Sequence, residues 1–127
     1  MDQYIFITGA SSGFGEATAR LFAKRGWSLI LLARRKERLL ALKEELSNQV
    51  EVIILTCDVR DEQSVNKAIS MLDDSVLDNI DLLVNNAGLA VGKGPIDEGI
   101  TEDWERMIDT NIKGLLYVTK ALVPSFK

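Results

Sequence analysis

Histidine is missing from all 127 residues, which removes the commonest general base near neutral pH and the commonest zinc ligand. No metal site is expected. Cysteine occurs once, at Cys57, so no internal disulfide can form. With no signal peptide visible either, a reducing cytoplasm is the expected compartment. No apolar run approaches membrane-spanning length, so no membrane partner is expected. Positive charge is in deficit: 15 Lys and Arg against 19 Asp and Glu leave a net charge of -4, which argues against a nucleic-acid surface. Repeats, linkers and low-complexity segments are also absent. The remaining composition, 46% apolar and 27% charged, is that of a globular chain long enough for one domain with a real core.

What is present centres on Ile5 to Gly15. A short apolar run, Tyr4 to Ile7, reads as a buried strand, and a helical pattern runs from Phe14 to Arg25. Between them stand Gly9, Gly13 and Gly15. A strand feeding a glycine-rich turn and a helix can hold a phosphate on unpaired backbone amides at the positive end of the helix dipole. Gly9 suits a sharp turn, Gly13 leaves room for a pyrophosphate to approach backbone, and Gly15 permits close packing of helix on strand. The spacing is G-x-x-x-G-x-G, which does not fit the general dinucleotide pattern G-x-G-x-x-G. A tight strand–helix turn without a ligand is the bland alternative.

The rest of the chain alternates. The first helix is expected to bury Ala17, Leu21 and Phe22 and to end at Gly26. Ser28 to Ala33 reads as a second strand, and a helix burying Leu39, Leu42 and Leu46 follows. Glu51 to Thr56 reads as a third strand. Asp61 suits the N-cap of a third helix carrying the stripe Val65, Ala68, Ile69, Leu72 and Val76. Asp81 to Asn85 reads as a fourth strand, followed by a glycine-containing loop to Ile100. A last helix, capped by Thr101, places Trp104, Met107, Ile108, Asn111, Leu115, Val118 and Leu122 on one side. Trp104 and Met107 are read as core or interface. The order βαβαβαβα predicts an α/β fold: a doubly wound parallel sheet with strand order 3-2-1-4. The ligand crevice then falls between strands 1 and 4 at their carboxyl ends, bringing the glycine loop, Arg34, Asp58 and Asn86 to one opening.

Thr8-Gly-x-x-x-Gly-x-Gly15, together with Asn85-Asn86-Ala87-Gly88 after the fourth strand, resembles the short-chain dehydrogenase/reductase family, along the whole chain. The resemblance implies a Rossmann-like fold and a cofactor site made of Gly9, Ala10, Ser11, Ser12, Gly13, Phe14, Gly15, Arg34, Arg35, Asp58, Val59, Asn86, Ala87 and Gly88. It implies that Asp58 accepts from the adenine amino group, with Val59 packed nearby. Without the resemblance, Asp58 is a turn residue and Asn86 part of a polar turn. Arg34-Arg35 ends the second strand where an NAD-binding chain would place an acid, and guanidinium suits a 2′-phosphate, so NADP is expected over NAD. Asn111 is expected on a buried helix face, where it must find partners; the resemblance adds a supporting role at the active site, and both roles can hold together. Gly13-Phe14-Gly15-Glu16, Arg34-Arg35-x-x-Arg38-Leu39, Asn86 to Ala90 and Trp104 to Asn111 are similar to the bacterial NADP-dependent 3-hydroxy acid dehydrogenases, which act on L-serine and L-allo-threonine.

The resemblance implies that the family's chemistry also needs a catalytic serine and a Tyr-x-x-x-Lys pair, both expected beyond Lys127: Tyr4 is in the first strand, and Tyr117-Val-Thr-Lys120 has the wrong spacing. Residues 1–127 are therefore expected to form the cofactor half of a longer enzyme that acts on a small-molecule substrate. The loop 89–100 is expected to line the crevice floor. The resemblance implies a homo-oligomer, dimer or tetramer. Alternatives are a non-catalytic NADP-binding regulatory module or an assembly scaffold. Ile80 to Val84 is expected to be an apolar sheet edge.

Overall fold

A computed structural model describes residues 2–87 and 101–126. Four strands, β1 (Tyr4–Thr8), β2 (Ser28–Ala33), β3 (Val52–Thr56) and β4 (Ile80–Val84), form one parallel sheet in the order β3-β2-β1-β4. This is the expected Rossmann-like arrangement. Every residue of β1 and β2 is buried, as the continuous apolar runs require of strands covered on both faces. Strands β1 and β2 pair in register from Tyr4 with Ser28 to Thr8 with Leu32. Against β4 the register slips once, Tyr4 facing Ile80 and Ile5 facing Leu82.

Alternation along the strands divides the core in two. Ile5, Ile7, Leu29 and Leu31 point to the face covered by α1 (Gly13–Lys24) and α2 (Lys36–Leu46). Tyr4, Phe6, Ile30 and Leu32 point to the opposite face, covered by α3 (Glu62–Ser70) and, further along the chain, α6 (Leu115–Leu122). Each of these buried aliphatic side chains contributes about 1.5–3 kcal/mol through removal from water.

Several helix readings change. The buried residues of α1 are Gly15, Ala19 and Ala23, while Ala17 and Leu21 are exposed. The helix lies close on the sheet, so its smallest side chains face inward and the bulky Leu21 does not fit there. The helix ends in a Schellman arrangement: Trp27 N donates to Phe22 O, Gly26 N donates to Ala23 O, and Gly26 has φ 84°. The Phe22 and Trp27 rings meet edge to face with centroids 5.3 Å apart. Leu39, Leu42 and Leu46 are buried on α2 as expected. Asp61 caps α3, accepting from Gln63 N at 3.0 Å. Val65, Ala68, Ile69, Leu72 and Val76 are all buried, but not on one helix: the chain turns after Ser70, which leaves Leu72 in the turn, and restarts as α4 (Asp74–Leu77), which carries Val76.

The last helix is interrupted. A helix, α5 (Thr101–Ile108), runs into a π turn (Asp109–Gly114), and α6 follows. The wider turn rotates the helix face, so one period cannot be carried from Ile108 to Leu122. Val118 and Leu122 are buried, whereas Ile108, Asn111 and Leu115 are exposed. The expectation of a buried Asn111 is corrected accordingly. Gly88, the loop 89–100 and the side chains of Trp104 and Met107 lie outside the described residues.

Candidate functional site

The carboxyl ends of the strands open into one cavity of about 230 Å³. Its lining brings together Gly9, Ser11 and Ser12 from the β1–α1 turn, Arg34 and Arg35 after β2, Asp58 and Val59 after β3, and Asn86 and Ala87 after β4. These residues, spread over the length of the chain, were read from the sequence as one opening, and the parallel topology is what gathers them.

The glycine turn is held by a hydrogen-bond web. Gly9 adopts φ 63° and an added Cβ would sit 2.8 Å from Ala87 Cα, so the turn tolerates no side chain there. A Cβ on Gly15 would collide with the Gly9 carbonyl and lie 2.8 Å from Ala10 Cα, which matches its expected role in close packing. Gly13 differs: nothing stands within 4 Å of the position its Cβ would take. Ser12 caps α1, its Oγ accepting from Gly15 N at 3.2 Å and donating to Gly9 O at 2.8 Å. Asn86 Nδ2 donates to the same Gly9 O at 3.1 Å and to Ser12 Oγ at 2.9 Å. Thr8 completes the web from β1: its Oγ1 accepts from Asn86 N at 2.9 Å and from Ala87 N at 3.0 Å.

Asn85 points the other way. Its Nδ2 donates to Thr119 Oγ1 on α6 at 3.1 Å, and its Oδ1 is buried without a partner among the described residues. The two amides of the Asn-Asn pair thus do different work, one tying β4 to a helix and one bracing the cavity rim. Ala10 does not face the cavity. Its methyl is buried in the core and its amide donates to Leu32 O. Phe14 is 69% exposed at the start of α1. Asn111 lies on the π turn and is absent from the cavity lining.

The charge around the opening is mostly positive. Arg34, Arg35 and Arg38 all line it and all are exposed. Arg38, quoted in the sequence only as part of a motif, also bridges elements: its Nη1 donates to Ser11 O at 3.2 Å, tying α2 to the glycine turn. Arg60, which the sequence reading passed over, clasps Asp58. Arg60 Nε donates to Asp58 Oδ1 at 3.0 Å and Nη2 to Oδ2 at 2.8 Å. The hydrogen bond from Arg60 holds the Asp58 carboxyl below the usual carboxylate range. Burial pushes the Cys57 thiol up, keeping it protonated and inert. The spacing Asp-x-Arg was the available signal for Arg60, since a turn places residues two apart side by side.

The arrangement fits a phosphorylated dinucleotide. Gly13 leaves space beside the N-terminus of α1, whose Gly13 and Phe14 amides make no hydrogen bond to another described residue. The arginines would meet a phosphate at the far side, and the half-buried Asp58 offers an acceptor.

Comparison with known proteins agrees. The family model described as short chain dehydrogenase matches residues 3–127. Over 125 residues the chain is 51% identical to sulfoacetaldehyde reductase 2 of Chromohalobacter salexigens and 50% identical to serine 3-dehydrogenase of Agrobacterium fabrum. Each alignment covers 98% of this chain and 49% of the relative, so the chain spans about half the length of the curated relatives it matches. Among solved structures, the closed form of serine dehydrogenase complexed with NADP+ is similar with a TM-score of 0.88 at 44% identity, over 98% of this chain and 49% of that one. With the family model matched over residues 3–127 on a parallel sheet of order β3-β2-β1-β4, the chain belongs to the short-chain dehydrogenase family.

Proposed function

We propose that the protein carrying this chain is an NADP-dependent oxidoreductase that transfers hydride between NADP(H) and a small hydroxy or carbonyl compound. The observation that carries NADP is the rim of three arginines, Arg34, Arg35 and Arg38, with no carboxylate at the end of β2. In this reading Arg34 and Arg35 hold the 2′-phosphate, the glycine turn from Gly9 to Gly15 takes the pyrophosphate, and Asp58 and Val59 take the adenine end. Asn86, Ala87 and Gly88 line the nicotinamide side, and Asn111 supports the reacting end. When bound, NADP supplies the hydride acceptor; the chain's residues bind and orient it. The names of the relatives, a sulfoacetaldehyde reductase and a serine 3-dehydrogenase, favour a short polar substrate. A 3-hydroxy acid such as L-serine is the compound we propose first. The cytoplasm is the proposed compartment; among the described residues no helix is long and apolar enough to cross a membrane. Assembly into a dimer or tetramer belongs to the same proposal.

The test is a pair of titrations, NADP and NAD, with the parent protein and with Arg34→Ala. The variant is expected to lose NADP affinity by about 1.5–3 kcal/mol, the worth of a charge-assisted phosphate contact. NAD affinity should barely move. Equal loss for both cofactors would refute the assignment.

A further inference from the structure

We propose that Gly114 is a positioning residue for the cofactor: lacking a side chain, it lets the loop after β3 stand back from the cavity and so sets the room at the Asp58 end. The inference rests on the dinucleotide reading above and adds to it a residue outside the cavity lining.

The backbone of Gly114 gives no reason for a glycine. Its φ of -60° and ψ of -43° are those of an ordinary right-handed helix, which any residue adopts. In a helix interior glycine is less favourable than alanine by about 0.8–1.0 kcal/mol. Space is the reason that remains. Gly114 is buried at the end of the π turn. A Cβ on it would lie 2.6 Å from Val59 Cγ2, 3.0 Å from Val59 Cβ and 3.0 Å from Val59 O.

Of the two sides of this contact, the loop is the one that yields. Gly114 shares a helix face with Val118, four residues on, and Val118 and Leu122 are fully buried. The same helix is tied to β4 by Asn85 Nδ2 donating to Thr119 Oγ1 at 3.1 Å, and to α3 by Lys120 Nζ donating to Glu62 Oε2 at 3.2 Å. A helix held in this way does not back off from Val59. Nor can Val59 swing aside. Its branched side chain is stiff, and two of the three contacts are its Cβ and its carbonyl oxygen, which no side-chain rotation moves. The residue has to shift as a whole, away from Gly114 and toward the cavity it helps to wall. Val59 is 5% exposed, so it serves as backing for the wall and not as a contact surface. Its neighbours go with it. Arg60 N donates to Asp58 Oδ1 at 3.0 Å across Val59, and Asp61 N donates to Asp58 O at 3.1 Å. A push at Val59 therefore displaces a closed turn, Asp58 included.

The experiment is a double-mutant cycle on the full-length protein, read by calorimetric titration with NADP+ and with adenosine 2′,5′-bisphosphate, which lacks the nicotinamide end. G114A should weaken both ligands by about tenfold. V59A removes the Cγ2 that the new methyl meets, so in that background G114A should weaken both by less than about threefold. A folded G114A that binds NADP+ as the parent does overturns the inference and leaves the cofactor reading standing. A loss as large in the V59A background, or one that spares the bisphosphate, overturns it too. Should G114A fail to fold, the double variant is compared with V59A alone: a double variant that stays unfolded, or binds more than about threefold weaker than V59A, overturns the inference. A parent that binds neither ligand overturns the cofactor reading and this inference together.

Discussion

Gly13 and Gly15 stand two residues apart and answer to different constraints. A side chain on Gly15 meets the Gly9 carbonyl and the Ala10 backbone, neither of which can move aside cheaply. Gly15→Ala is expected to destabilise the fold by about 1–3 kcal/mol, read as a lower thermal unfolding midpoint. Gly13 faces open space, so Gly13→Val should leave the unfolding free energy within about 1 kcal/mol of the parent. The same variant should abolish dinucleotide binding in a titration; binding at parental strength would put the phosphate elsewhere. Asp58 gives a pH signature. Its carboxyl is held down by Arg60 in the folded chain, so the pair's contribution is present above the unfolded carboxyl's range and is lost as pH falls through the folded value. The gap in melting temperature between the parent and R60Q should be open at neutral pH and close on acidification. A gap that widened in acid would contradict the sign of the shift.

The strands were legible because each is a short apolar run bounded by turn residues, and β2 was read to its ends. The cavity residues were legible for the same reason: they sit where strands stop. Helix faces were harder. On α1 the eye picks Leu21, yet the sheet accepts Ala19 and Ala23. Past Ile108 a single period fails because the π turn inserts its own phase, and no residue in Asp109–Gly114 announces it. Gly114 is the exception in hindsight: its missing Cβ would lie 2.6 Å from Val59 Cγ2, so the π turn rests directly on the wall of the cavity. Gly26 is a plainer case, and Gly26→Ala should cost about 1–2 kcal/mol by forcing a side chain into the left-handed region. Arg38 and Arg60 were overlooked as site residues because charged side chains near turns look solvated until partners are seen.

At the scale of the molecule, residues 1–127 carry a cavity fit for a dinucleotide but no histidine and no Tyr-x-x-x-Lys. Tyr4 is buried with its OH donating to Glu51 Oε1 at 2.6 Å, and burial drives its pKa far up. It cannot serve as a base near neutral pH. Residues 1–127 alone are therefore expected to give no hydride turnover, followed as absorbance of reduced cofactor with a substrate the full-length protein accepts; turnover above a boiled control would send the search for a base to residues 89–100. The sheet order has a further consequence for how such a chain is made. β1 leaves the ribosome before any of its neighbours, yet it lies between two of them. Thr8 and Val84 are 76 residues apart, which at roughly 5–20 residues per second leaves one flank of β1 unpaired for about 4–15 s. During that interval an apolar strand destined for complete burial is open to nascent neighbours on the same message. Slower elongation should lower soluble yield, and a holdase that covers Tyr4–Thr8 until Ile80–Val84 emerges should restore it.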